Sequence, residues 1–366
     1  MRVIISAGGT GGHIYPALAI INKIKEKDKN AKILYIGTTD RMEKDIIPKM
    51  GIDYIGIKID GLHRKLSLKN VRSAFLLGTG ILKCKQIIKK FNPDVVIGVG
   101  GYVTAPVIYA AKKMGIKCCL HEQNSTFGMT NRFLEKYADK IFVSFKSSLE
   151  QVKDKSKAIY TGNPCSESAL KSPLISKEKF GLSLNKKLVL IVMGSLGSNT
   201  IGNKMKQMLT LFNNKDYEVM FVTGKKYFDE YKTIKYTNNI KIVPYLENMT
   251  SLLKNTDVLV SRAGASTLSE ISSLNVASIL IPSPYVTENH QLKNALDLVG
   301  KKAADLLEEK DLEGDILLRM VEKILDDQLY SKKMKDNLRT FEVKNSASMI
   351  YDEIKFLVGD KNGRSN

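Results

Sequence analysis

Residues 2–13, Arg2-Val3-Ile4-Ile5-Ser6-Ala7-Gly8-Gly9-Thr10-Gly11-Gly12-His13, followed by Ile14-Tyr15-Pro16, decide the fold. The apolar run 2–6 reads as a strand, and an amphipathic stretch over 15–26 reads as a helix. Between them lie four glycines in five positions, Gly8 to Gly12, and then a histidine. Glycines at a strand-to-helix turn let backbone N–H groups approach an anion or a sugar, and the helix N-terminus adds partial positive charge. No Lys-Ser/Thr follows at Walker A spacing, and the register Gly9-Thr10-Gly11-Gly12-His13-Ile14 fails G-x-G-x-x-G, which weakens a dinucleotide site. A tight turn alone needs fewer glycines, so the segment reads as a ligand loop.

Working outward, short apolar runs alternate with helix-length stretches along the chain. Residues 32–36, 54–57, 95–99, 117–120 and 140–143 read as further strands, and 68–90, 106–114 and 131–137 as helices. After a polar pause the pattern restarts, with strands over 188–193, 218–222, 240–243, 258–261, 277–281 and 303–306. From 311 onward the chain reads as purely helical, over 311–325, 331–340 and 347–357, with a polar tail from Gly359. This predicts two α/β domains, each a mostly parallel sheet with helices on both faces, joined by a linker over roughly 162–185.

The chain has 366 residues, 43% hydrophobic and 26% charged, a globular balance that argues against disorder, collagen or coiled coil. Lys and Arg total 57 against 38 Asp and Glu, a net charge of +19. That excess favours anionic partners such as phosphorylated ligands, nucleic acid or an anionic membrane; scattered surface lysines are the alternative source. Trp is absent, and no interleaving of aromatic and basic residues suggests a single-strand-binding platform. No apolar run is long and unbroken enough to span a membrane, and Met1-Arg2 runs into the glycine cluster without a signal-peptide pattern, so a cytoplasmic protein is expected. Cys84, Cys118, Cys119 and Cys165 lack metal spacing and are expected to be buried thiols.

Several polar clusters follow predicted strands. Gly98-Val99-Gly100-Gly101-Tyr102-Val103 closes the fourth, and in a doubly wound sheet it would face one crevice with the first loop. His121-Glu122-Gln123-Asn124 closes the fifth. In the second half, Gly194-Ser195-Leu196-Gly197-Ser198 repeats the strand-turn-helix pattern. Ser261-Arg262-Ala263-Gly264-Ala265-Ser266-Thr267-Leu268-Ser269-Glu270 sets hydroxyls at a helix start, suited to a diphosphate, with Glu270 a turn inside for ribose hydroxyls. Glu288-Asn289-His290-Gln291 opens another helix. Three of the four histidines, His13, His121 and His290, fall in these clusters; His63 does not.

Taken in order, these motifs resemble the MurG family, N-acetylglucosaminyltransferases of bacterial peptidoglycan synthesis. The resemblance is carried by residues 7–13, Gly100-Gly101-Tyr102-Val103 with Pro106, His121-Glu122-Gln123-Asn124 and Thr161-Gly162-Asn163-Pro164. Arg262-Ala263-Gly264-Ala265 through Glu270, and His290-Gln291-Leu292-Lys293-Asn294-Ala295, complete it. It implies the GT-B fold: two Rossmann-like parallel-sheet domains facing across a cleft. The first, over 1–162, would face acceptor and membrane and be rejoined by the C-terminal helix of 341–366; the second, over 163–340, would bind the donor. The implied reaction moves N-acetylglucosamine from UDP to the 4-hydroxyl of the muramoyl sugar of lipid I, with inversion, forming lipid II. No metal and no cofactor are implied, which agrees with the lack of an Asp-x-Asp motif, and nucleic acid is not an implied partner.

By resemblance, Thr10, Gly11 and Gly12 lie beside the donor sugar and phosphates, Asn124 bonds the transferred sugar, and Ser195 contacts the diphosphate. The Leu246 backbone holds uracil. Ala265, Ser266 and Thr267 meet the phosphates from the helix start, Leu268 and Ser269 belong to the same substrate-binding run, Glu270 takes the ribose, and Gln291 the donor sugar. His13 is the candidate general base and Glu122 the alternative. Two departures stand out: Cys165-Ser166 replaces a customary Arg, and Met193 and Leu196 alter the third glycine loop.

Residues 61–72, Gly61-Leu62-His63-Arg64-Lys65-Leu66-Ser67-Leu68-Lys69-Asn70-Val71-Arg72, continue into Phe75-Leu76-Leu77 and Ile81-Leu82-Lys83. The mixture fits peripheral attachment to anionic lipids at the cytoplasmic face; the alternative is that Leu76, Leu77 and Ile81 are the core face of a helix. Two other functions stand against the transfer reaction. One is a different UDP-sugar enzyme on the same fold, such as a diacylglycerol glycosyltransferase or an epimerase. The other is a basic nucleic-acid-binding protein, against which the scattered lysines argue.

Overall fold

The computed structural model describes residues 1–61, 68–193 and 199–359. The chain divides into two compact units: Met1–Cys165 together with the chain from Asn345 onward, and Ser166–Lys344.

In the first unit, β1 (Arg2–Ala7), β2 (Lys32–Thr38), β3 (Asp53–Ile57), β4 (Val95–Gly100), β5 (Lys117–Glu122), β6 (Lys140–Val143) and β7 (Ala158–Tyr160) form one sheet in the order β3-β2-β1-β4-β5-β6-β7. Every pairing is parallel, with Val3 of β1 opposite Ile33 on one side and Val95 on the other. The helices are α1 (Gly11–Lys27), α2 (Glu43–Lys49), α3 (Leu68–Phe91), α4 (Thr104–Lys113), α5 (Met129–Leu134) and α6 (Lys146–Leu149). Alternation along β1 explains the packing. Val3, Ile5 and Ala7 join Ile14, Leu18 and Ile21 of α1 in one core, while Ile4 joins Ile88 of α3 and Val107 of α4 in the other. Both faces are covered, so the strands read as continuous apolar runs rather than alternating ones. Each such buried aliphatic side chain contributes about 1.5–3 kcal/mol.

In the second unit, α7 (Cys165–Lys171), β8 (Leu188–Val192), α8 (Asn199–Thr210), β9 (Glu218–Val222), α9 (Phe228–Lys232), β10 (Ile240–Val243), α10 (Met249–Leu253) and β11 (Val258–Ser261) come first. They are followed by α11 (Ala265–Leu274), β12 (Ala277–Leu280), α12 (His290–Val299), β13 (Asp305–Leu306), α13 (Ile316–Asp326) and α14 (Gln328–Leu338). The parallel sheet runs β10-β9-β8-β11-β12-β13, repeating the order of the first six strands of the other unit. Leu317, Val321 and Ile324 of α13 recur at helical spacing and seal its core. The chain ends in α15 (Ser346–Gly359), which belongs to the first unit; Ile350, Ile354 and Leu357 join the α1 core, and Lys140 pairs with Glu353 at 3.3 Å.

Three differences from the sequence-based expectation have physical causes. β7 is a three-residue, half-buried edge strand with too short an apolar run to be read. α2 has seven residues and carries Pro48, which masks its helical pattern. The expected linker is folded: Thr161 and Asn163 are buried, α7 follows, and a turn over Lys177–Phe180 closes on Gly181 at φ 71°. The four cysteines are buried thiols, and burial pushes Cys84 and Cys118 up to about 12.

Candidate active site

In each sheet the strand order reverses once, between β1 and β4 and between β8 and β11. Ligands of doubly wound sheets bind beyond the carboxyl ends of the strands at that point.

At the first reversal the two glycine loops are fastened together. The Gly8 N–H donates to the Gly100 carbonyl at 3.2 Å. Gly101, at φ 83°, lies so close beneath the loop that a Cβ would collide with the Gly8 carbonyl. The His13 ring lies against Gly100, where a Cβ would stand 2.5 Å from its Cδ2. His13 Nδ1 is 3.1 Å from the Gly8 carbonyl and 3.3 Å from Thr10 Oγ1. A carbonyl can only accept, so Nδ1 carries a proton, and in the neutral ring Nε2 then carries the lone pair, a tautomer assigned from this bond. Thr10 is the extended residue before α1, and its side chain makes no capping bond. The first amides of α1, those of Gly11 and Gly12, therefore go uncapped by it at the positive end of the helix.

His121 and Glu122 end β5 and are both buried. Burial pushes His121 down to about 4, so it is neutral at pH 7; its Nε2 lies 3.3 Å from Ser144 Oγ. Glu122 accepts from Asn124 N at 3.1 Å and Asn124 Nδ2 at 3.2 Å on one oxygen. Its other oxygen accepts from Gly128 N and Asn131 Nδ2, both at 2.9 Å. Burial raises this carboxyl above its ordinary value despite those donors. Sequence reasoning passed over Asn131 and Glu43. Glu43 is fully buried at the start of α2, with its carboxylate accepting from Gly9 N at 3.2 Å.

At the second reversal, α11 starts behind extended Gly264 with no side-chain cap. Ala265, Ser266 and Thr267 form its first turn, and the Ser266 hydroxyl is buried with no hydrogen-bond partner among the described residues. The Leu268 side chain is in the core, its N–H bonds the Gly264 carbonyl, and its own carbonyl accepts from Ser272 Oγ. The Ser269 hydroxyl donates back to the Ser266 carbonyl at 2.7 Å. Glu270 is half-buried; its carbonyl accepts from Ser273 Oγ at 3.1 Å, its carboxylate accepts no hydrogen bond among the described residues, and burial raises the carboxyl to about 7. Leu246 follows β10 with neither backbone group paired among the described residues. Gln291 opens α12 and accepts from Ser283 N at 2.8 Å, which leaves its NH2 as a donor. The turn into α12 carries two successive left-handed non-glycine residues, Glu288 at φ 56° and Asn289 at φ 52°, a strained arrangement that clusters at ligand sites. Buried Arg262 pairs with Glu309 and donates to the Ile281 carbonyl, while Asn294 donates to the Ala263 carbonyl, so both brace the loop before α11.

Ser195, with the rest of its glycine loop, and His63 lie outside the described residues. Among the described residues no group of three or more His, Cys, Asp or Glu is arranged to hold a metal ion.

Doubly wound units with an uncapped helix start at each strand reversal suit an anionic ligand such as a nucleotide diphosphate. The glycosyltransferase family 28 N-terminal domain matches residues 3–143 and its C-terminal domain residues 188–350. The chain is 45% identical over 363 residues to the UDP-N-acetylglucosamine–N-acetylmuramyl-(pentapeptide) pyrophosphoryl-undecaprenol N-acetylglucosamine transferase 1 of Bacillus cereus, covering 98% of this chain and 100% of the relative. It is 40% identical over 359 residues to the transferase of the same description from Pediococcus pentosaceus, covering 97% and 99%. The fold is shared with the crystal structure of Acinetobacter baumannii MurG at TM-score 0.77 and 24% identity, covering 97% of this chain and 99% of that one. The S. aureus MnaA–UDP co-structure gives TM-score 0.71 at 15% identity, covering 98% and 97%. The chain belongs to glycosyltransferase family 28, within its MurG group, as its motifs led one to expect.

Proposed function

We propose that the chain transfers N-acetylglucosamine from UDP-N-acetylglucosamine to the 4-hydroxyl of the muramoyl sugar of lipid I, forming lipid II. The observation that carries this is the 45% identity, over 98% of the chain, to a relative named for that transfer.

The residues can be given roles on chemical grounds. The acceptor oxygen attacks C1 of the sugar from the face opposite the diphosphate, the C1–O bond breaks, and UDP leaves with the electron pair. His13 Nε2 takes the hydroxyl proton while the bond from Nδ1 to Gly8 holds the tautomer. Glu122, with four donors already on its carboxylate, holds the 124–131 turn rather than acting as base. Departing charge is stabilised by amides at helix starts, Ala265 to Thr267 on α11 and Gly11 and Gly12 on α1, with Thr10 beside them. Glu270 accepts from ribose hydroxyls, the Leu246 backbone pairs with uracil, and Gln291 and Asn124 hold the donor sugar. Ser195 is proposed at the diphosphate on its motif alone. UDP-N-acetylglucosamine enters as substrate, and no cofactor is required by this scheme. The first unit would then take acceptor and membrane, and the second the donor.

We also propose attachment to the cytoplasmic face of an anionic membrane through α3. Leu77 and Ile81 pack on the core, but Val71, Phe75 and Leu82 are 68%, 70% and 63% exposed beside Arg72 and Lys83. No helix among the described residues is long and apolar enough to cross a membrane. Exposed apolar side chains among cations suit an interfacial helix.

The test is transfer of radiolabelled N-acetylglucosamine from UDP to a soluble lipid I analogue, with EDTA present. Acceptor-dependent lipid II analogue is expected; no transfer by folded protein, with acceptor accepted by a known enzyme, overturns the assignment. For the membrane, Phe75→Ser is expected to lower co-sedimentation with phosphatidylglycerol vesicles while leaving soluble-acceptor turnover intact.

A further inference from the structure

We infer that Glu43, which none of the motifs marks, is a positioning residue for the transfer step: it anchors Gly9 from beneath and so aims the start of α1. This rests on the reaction proposed above. Glu43 is 0% exposed, an expensive place for a carboxylate unless donors converge on it. Three do. Oε1 accepts from Thr38 N at 3.0 Å and Thr38 Oγ1 at 2.7 Å, and Oε2 accepts from Gly9 N at 3.2 Å. Thr38 Oγ1 in turn accepts from Arg41 N at 3.1 Å, so the turn from β2 to α2 closes on itself and presents one oxygen to the glycine loop. Space for the side chain is left by two glycines: a Cβ on Gly8 would lie 2.5 Å from Oε1, and one on Gly37 would lie 2.7 Å from Cγ. The neighbouring phenols do not compete for Gly9. Tyr35 donates to the Ala7 carbonyl and Tyr54 to the Thr38 carbonyl, and burial, with the Glu43 charge adding to it, keeps both protonated.

The consequence follows from geometry. At φ 93° Gly9 turns its N–H inward to the carboxylate, and Thr10 then runs extended into α1. The inward N–H is no ligand donor, and the buried negative charge under it repels a diphosphate from that spot. The amides of Gly11 and Gly12, one residue before the His13 imidazole, are thereby left as the donors for charge that develops during transfer. A neutral residue of the same shape could fill the space but could not do this.

Glu43→Gln tests the inference because its amide cannot serve both sides. With its oxygen on Thr38, its NH2 faces the Gly9 N–H, donor against donor. For the folded variant we expect kcat to fall roughly 10- to 100-fold, with UDP affinity in the absence of acceptor held within about twofold. Amide exchange in the peptide containing residues 8–13 should quicken by about tenfold or more. A purely structural role would lower the melting temperature and leave kcat and the loop's exchange unchanged well below it. Thr38→Val, which removes one donor from the carboxylate, should shift both readouts in the same direction by less, and it carries the test where Glu43→Gln does not fold. Wild-type kcat together with wild-type exchange at residues 8–13 overturns the inference. Failure of the wild-type protein itself to make product overturns the transfer reaction instead, while the exchange measurement still reports on Gly9.

Discussion

The loop over residues 8–13 in the first unit and the start of α11 in the second share a design, a strand end running into an uncapped helix. They differ in what surrounds them. The first is braced from several sides: Gly8 bonds Gly100, Gly101 lies against Gly8, Gly9 is held by Glu43, and His13 is held by Gly8. The second leaves groups unpaired among the described residues: the Ser266 hydroxyl, the Glu270 carboxylate, the Leu246 backbone and the Gln291 NH2. Of these only the Ser266 hydroxyl is buried, where lacking a partner is costly in the empty protein; the partly exposed others are open donors and acceptors that a ligand can engage. Groups that must act on a developing charge gain most from being fixed in advance. Under the proposed reaction, the first region would supply the chemistry and the second the binding.

The largest effect should come from the braced region. His13→Ala is expected to lower kcat by roughly 100- to 10,000-fold while leaving UDP affinity unchanged, measured by single-turnover transfer and a binding titration. A kcat near wild type would leave the loop as a binding element only and erase the contrast. Gly101→Ala comes next. Its positive φ and the approach of the Gly8 carbonyl leave no place for a methyl group, so a stability loss of about 1–3 kcal/mol is expected, with reduced turnover in whatever remains folded.

Much of this was legible in the sequence and some was not, for reasons that can be read from particular residues. Both sheets were legible because their strands are buried on two faces and stand out as apolar runs. The glycine loops and the polar residues after the strands were legible because such clusters make poor filler at strand ends. Glu43 was not: its partners, Thr38 and Gly9, sit in different turns, and only the parallel pairing of β1 with β2 brings them together. Glu122 could be read as a carboxylate at a strand end but not as one already holding four donors, because Gly128 and Asn131 reach it through a turn whose path no periodicity encodes. The core position of Leu268 follows from helical spacing along α11, which the run of small residues around it hides.

Glu270→Gln sharpens the comparison by separating binding from stability. The carboxyl titrates near 7 in the folded chain, above its ordinary value of 4.5, because burial disfavours its charge. Below about 4.5 it is neutral in folded and unfolded chains and contributes nothing; as pH rises towards 7 the unfolded chain ionises first and stability falls. Removing the charge should therefore stabilise the empty protein above about pH 7, by about 1–3 kcal/mol after allowance for its partial exposure, and leave it unchanged at pH 4. Donor binding should move the other way. Ribose hydroxyls donate best to the carboxylate, so the wild-type KM for UDP-N-acetylglucosamine should rise as pH falls through about 7, while in Glu270→Gln it should be about tenfold higher and flat. Thermal melts across pH, set beside KM profiles, check both halves; a variant that loses stability at pH 8 would show that Glu270 braces the unit.

The smallest expected effect is the most direct check on the contrast between the two regions. Gly264 precedes α11 as the glycine loop precedes α1, yet its φ is −70° and a Cβ there would meet nothing nearer than Thr267 Oγ1 at 3.8 Å. Gly264→Ala should fold within about 0.5 kcal/mol of wild type, since an open site with ordinary backbone angles accepts a methyl group. Any loss should fall on the affinity for UDP, where the methyl group would stand beside the incoming diphosphate, and should leave single-turnover kcat at saturating donor unchanged. If Gly264→Ala instead destabilises the chain as much as Gly101→Ala, then the start of α11 is braced as tightly as the first loop, and its unpaired groups are not what prepares it for a ligand.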